Sequence, residues 1–116
     1  MVKPWVLAVT VTGMILAGPV FAHAKLQSTT PAADAQLKVA PTSLTLSFNE
    51  KVRLAVLTLT VDGKDVPVTV DRSAPAAAQV TVALPALAAG KYVVQWSALS
   101  VDDGHVSKGT FAFAVG

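Results

Sequence analysis

Polar and apolar residues alternate strictly along much of this chain. Leu44-Thr45-Leu46-Ser47-Phe48 and Leu57-Thr58-Leu59-Thr60-Val61 have the period of two that marks strands with one buried face. Asp62-Gly63, directly after the second run, predicts a tight hairpin, because both residue types tolerate positive φ. Val66 to Val70 is the expected returning strand, and Pro67, which has no N–H to donate, puts that strand at an edge or a bulge. Gln79 to Leu84 alternates again, and Pro85 with Ala88-Ala89-Gly90 marks the next turn. Lys91 to Val101 and Thr110 to Val115 supply two more strands, and a short strand over Lys25 to Ser28 opens the set. Ala74 to Ala78 reads as a loop, and no segment has a helical period.

Six or seven short strands at intervals of roughly ten residues, parted by Pro, Gly and Asp turns, predict an all-β, immunoglobulin-like Greek-key β-sandwich or barrel. Residues i and i+2 share a side of a strand, so Leu44, Leu46, Phe48, Leu57, Leu59, Val61, Tyr92, Val94, Trp96, Phe111 and Phe113 are the expected inward positions. Trp96 thereby reads first as core and only secondarily as an apolar wall beside a site.

The first two dozen residues break the pattern. Lys3 is followed by an apolar stretch from Trp5 to Leu16 and by Ala17-Gly18-Pro19-Val20-Phe21-Ala22, the layout of an export signal with a small-residue cleavage site. The apolar stretch falls short of the ~20 residues a spanning helix needs and contains Gly13. A signal peptide over residues 1–22 and one domain over residues 23–116, not embedded in a membrane, are the expected organisation. Cleavage after Ala24 also satisfies the small-residue rule and would remove His23.

The chain has no cysteine, so no disulfide supports it; an exported protein of this kind points to a bacterial periplasm. Setting Lys3 aside, the remainder carries a net charge of about +1, with basic residues scattered singly. That distribution gives no support to nucleic-acid binding. There is no internal repeat, and a monomer is expected.

The two histidines carry the chemistry. His23 becomes residue one if cleavage follows Ala22, and then offers its α-amine and imidazole together. Asp103-Gly104-His105 adds a carboxylate and a second imidazole, and such a set suits tetragonal Cu(II). Amine and imidazole must both be deprotonated to bind, so affinity should fall with falling pH. An Asp-x-His triplet alone is a weak signal, since Asp102-Asp103-Gly104 is also an ordinary turn. The pairing with His23 gives it weight.

His23-Ala24-Lys25-Leu26, Ser28 to Ala32, Leu46-Ser47-Phe48-Asn49-Glu50 and the stretch from Trp96 to Gly109 together resemble the CopC family of periplasmic copper-binding proteins, over essentially the whole chain after the leader. The resemblance implies a cupredoxin-like β-barrel shape. It implies one Cu(II) per chain held by His23, Asp103 and His105, with Glu50 as a neighbouring or weak axial group. It also implies a role in copper homeostasis or resistance, with transfer to a CopD-like inner-membrane partner. Two departures stand out. The only methionines, Met1 and Met14, lie in the leader, so no soft-ligand Cu(I) site is expected. Val106 follows His105 where many members have Pro. Two other classes compete: a copper oxidative enzyme with a histidine brace, disfavoured because Asp103 would fill the remaining in-plane position, and an exported immunoglobulin-like adhesion module without metal. A non-enzymatic copper carrier is the leading reading.

Overall fold

A computed structural model describes residues 24–116; the expected signal peptide over residues 1–22 and the candidate ligand His23 lie outside the described residues. Seven strands follow in chain order: β1 (Leu26–Thr30), β2 (Ala35–Leu37), β3 (Ser43–Val61), β4 (Lys64–Val66), β5 (Ala77–Ala83), β6 (Gly90–Ser100) and β7 (Val106–Val115). Hydrogen bonding runs β1-β3-β6-β7-β2, with β4 and β5 also on β3. The fold is all-β, as the alternation predicts.

Strand β3 organises it. Its first half pairs with β1 on one side and β5 on the other, and its second half pairs with β6 and β4. The sequence reads as two strands here because inward parity changes from even positions (Leu44, Leu46, Phe48) to odd ones (Leu57, Leu59). The structure keeps one strand and changes parity with an irregularity. Leu54 opposes Ala98 and Val56 opposes Ser97, so Ala55 is an extra residue on β3. One inserted residue moves every later side chain to the other face, which is why Leu54 and Leu57 are both buried.

The hairpin after β3 forms as expected, with Asp62 and Gly63 at φ 51° and 77°. The returning strand is shorter than predicted: β4 ends at Val66, and residues 67–70 are not in a strand. Pro67 stops the ladder by removing a donor. Val68 and Val70 pack half-buried against the core without strand pairing, and the chain then turns at Asp71, whose Oδ1 accepts from the Ser73 backbone and hydroxyl at 3.0 and 2.7 Å. Those two bonds hold the Asp71 carboxyl below the usual carboxylate range. Other boundaries differ: β1 runs to Thr30, beyond Ser28; β5 starts at Ala77, so the stretch from Ala74 to Ala78 is a loop only up to Ala76; and β7 starts at Val106, before Thr110. Strand β2 carries no alternation long enough to read; it forms because Ala35 to Leu37 lie parallel to Phe113 to Val115.

Every predicted inward residue is buried except Val61, which is half-buried against the core. Phe48 meets Trp96 edge to face, with centroids 5.2 Å apart, and Tyr92 stacks on Phe113 at 5.4 Å. The Tyr92 hydroxyl donates to the Ala88 carbonyl at 2.6 Å, pinning the turn before β6. Gly109 lies opposite Trp96, and a Cβ at Gly109 would stand 2.9 Å from the indole. Gly109→Ala is therefore expected to displace Trp96 and cost about 1–3 kcal/mol in urea unfolding, with a shifted tryptophan emission. Unchanged stability and emission would show that the indole has room to yield.

Candidate metal centre

At the middle of β3, between its two sets of partners, Asn49, Glu50 and Lys51 each hold a different piece of chain. Asn49 takes hold of the start of the described chain: its side-chain Oδ1 accepts from Lys25 N at 2.7 Å, and its backbone N–H donates to Lys25 O at 3.0 Å. Glu50 accepts a hydrogen bond from the hydroxyl of Ser100, a buried residue at the end of β6. Lys51 O accepts from Val101 N at 3.3 Å. Chain start and the β6–β7 loop are thus fastened to three consecutive residues.

The loop is closed by its own backbone. Ser100 N donates to His105 O at 2.9 Å, and Gly104 N donates to Ser100 O at 3.0 Å. Gly104 has φ 72°, a left-handed conformation that glycine adopts without steric cost. That turn brings Asp103 and His105 together. His105 N donates to Asp103 Oδ1 at 3.0 Å, and His105 Nδ1 lies 3.4 Å from Asp103 Oδ2. Two donors bound at right angles about 2.0 Å from one ion are about 2.8 Å apart, so this pair needs only a small closing movement to share a cation. The His105 side chain is 50% exposed and that of Asp103 26%, so an ion can reach both.

A third contact ties in the chain start. Ser107 Oγ donates to Ala24 O at 2.7 Å, and Ala24 is buried in the core. Asp103, His105, Glu50 and the residue that follows His23 therefore gather at one end of the barrel. Among the described residues no three His, Cys, Asp or Glu side chains form a cluster able to hold a metal ion. The described residues bring together Asp103 and His105; Glu50 is at the loop's base, engaged with Ser100. The sequence reading had not singled out Ser100 and Ser107 as parts of the site. Ser100 did leave a trace, being a polar residue in the inward row Tyr92, Val94, Trp96, Ala98, Ser100.

A CopC domain family model matches residues 26–116. The chain belongs to the CopC family. Protein YobA of Escherichia coli K12 is 35% identical, over 96% of this chain and 92% of its own, and YobA of Shigella flexneri matches with the same figures. Among solved structures, CopC from Methylosinus trichosporium OB3b is similar with a TM-score of 0.65 and 30% identity, covering 80% of this chain and 93% of that one. PcoC from Escherichia coli, described as a methionine-rich copper resistance protein, is similar with a TM-score of 0.66 and 30% identity, covering 82% of this chain and 100% of that one. Unlike a methionine-rich protein, this CopC family member has two methionines, Met1 and Met14, both before the residues that the family model matches.

Ser100→Ala would leave the half-buried Glu50 carboxylate without that donor. The expected cost is about 1–3 kcal/mol in urea unfolding; a change below about 0.5 kcal/mol would mean that water satisfies Glu50 as well as Ser100 does.

Proposed function

We propose that this protein is an exported, periplasmic Cu(II) carrier or buffer, made as a precursor with a signal peptide over residues 1–22. It holds one ion through the amine and imidazole of His23, the carboxylate of Asp103 and the imidazole of His105. The observation that carries the reading is the bond from Ser107, two residues past His105, to the carbonyl of Ala24. That bond fastens Ala24 to the strand that leaves the Asp103–His105 loop, which supports a ligand supplied by the residue before Ala24. The copper resistance role of PcoC and the shared fold support copper as the cargo.

Nitrogen and carboxylate donors without thiol or thioether favour Cu(II) over Cu(I). Glu50 contributes indirectly, by holding Ser100 and through it the backbone of His105. The reading is of a binding protein, not an enzyme: with Asp103 in the fourth in-plane position no equatorial place is left for oxygen. The role is copper homeostasis or resistance, ending in transfer to a CopD-like protein of the inner membrane. Among the described residues no helix is long and apolar enough to cross a membrane.

Burial of Ala24 also favours cleavage after Ala22, since cutting after Ala24 would discard a core residue and its bond to Ser107. A native mass spectrum of the exported protein, with and without one equivalent of Cu(II), tests both points. The expected species starts at His23 and retains one copper, and His105→Ala retains none. A chain starting at Lys25, or wild-type protein that holds no copper, would overturn the reading. Ser107→Ala leaves every proposed ligand in place but loosens the chain start, so its Cu(II) affinity should fall about tenfold or more. Equal affinity in a competition titration would show that the tether is dispensable.

A further inference from the structure

Beside the metal loop, the outer face of the sheet carries a patch that neither the fold nor the proposed site uses. Residues directly opposite in antiparallel strands share a face. Arg53, Leu99 and Val106 form one such row, and Val56, Ser97 and Lys108 form the next. Val101, bonded through its N–H to Lys51 O, continues this face towards the loop. Leu99, Val56, Val101 and Val106 are 38%, 44%, 49% and 63% exposed, an unusual concentration of aliphatic surface at one end of a small domain.

Three cations border the patch, and the nearest carboxylates, Asp102 and Asp103, sit in the loop that joins Val101 to Val106. Lys51, Arg53 and Lys108 are exposed, none forms an ion pair among the described residues, and neither row contains a carboxylate. Glu50 is turned away towards Ser100, and Asp102 and Asp103 belong to the loop beyond. Arg53 reaches from the rim to the Ala74 carbonyl at 3.3 Å. A second copy docking by the same face would oppose these cations to one another. Short aliphatic side chains beside Lys51, Arg53 and Lys108 match a surface that is apolar beneath and anionic above. Lysine is a compact charge on a flexible stem, so it suits many phosphate positions and requires no fixed one.

We infer that this face, Val56, Leu99, Val101 and Val106 with Lys51, Arg53 and Lys108, docks the protein on an anionic phospholipid surface and holds the Asp103–His105 loop at the edge of the contact. The contact needs no copper, so it stands or falls separately from the metal reading.

The test is co-sedimentation of the metal-free exported protein with vesicles of phosphatidylethanolamine and phosphatidylglycerol, against vesicles of phosphatidylcholine alone. Binding to the anionic vesicles, weakened by salt, is expected. Val101→Ser with Val106→Ser, and Lys51→Glu with Lys108→Glu, should each weaken it about tenfold or more. Val39→Ser, an exposed valine beyond β2 at the other end of β7, should leave it unchanged. All these residues are exposed, and circular dichroism confirms that each variant is folded. No binding to anionic vesicles at low salt would overturn the proposal, as would binding by a soluble acidic protein in its place. So would a loss on lysine reversal with none on valine replacement, which would reduce the effect to general charge attraction.

Discussion

Asn49, Glu50 and Lys51 are the constraint on which the site depends. They occupy the point where β3 leaves β1 and β5 and joins β6 and β4. Each holds a different piece of chain: Asn49 binds Lys25, Glu50 binds Ser100 and Lys51 binds Val101. A chain terminus would ordinarily fray, since ordering it costs conformational entropy with little burial in return. Here the loss is offset by two bonds at Lys25, one at Ala24 and the burial of Ala24 itself. The same strand therefore holds both the chain at Lys25 and the stem of the Asp103–His105 loop.

That arrangement explains why the fold was more legible in the sequence than the site. Strand alternation is a local property, and it located both ends of β3, β5, β6 and most of β7 together with the larger part of the core, though not Val52, Leu54, Val82 or Ala98. The bulge at Ala55 was half-visible, as the parity change between Phe48 and Leu57, but a sequence shows only that the parity changes. It does not show whether a turn or an inserted residue changes it. Strand β2 left no signal because three residues cannot establish a period, and its pairing is with residues almost eighty positions away.

At the site, Asp103 and His105 were legible because two ligand-type side chains flank a glycine. Their supports were not. Ser100 reaches Glu50 across fifty positions and Ser107 reaches Ala24 across eighty-three. Neither spacing has any sequence pattern, because such contacts are set by how the strands stack. Glu50 was noticed through family resemblance, and the structure supplies its physical role: it is a half-buried carboxylate whose bond to Ser100 stiffens the stem of the loop.

The exposed face next to the loop follows from the same geometry. The inward row of β6 ends in Ser100, which serves the loop, so the alternate row, Ser97, Leu99 and then Val101, must face outward. Among the described residues β6 is the one strand paired with β7 at this end, since β2 meets residues 113–115. Leu99 and Val106 stay exposed there. Ser100, the one polar residue of that inward row, holds the Asp103–His105 loop, while Leu99 and Val101 on the alternate row are exposed at the same end. The exposed aliphatic surface and the loop proposed to hold copper are thus set by one strand register.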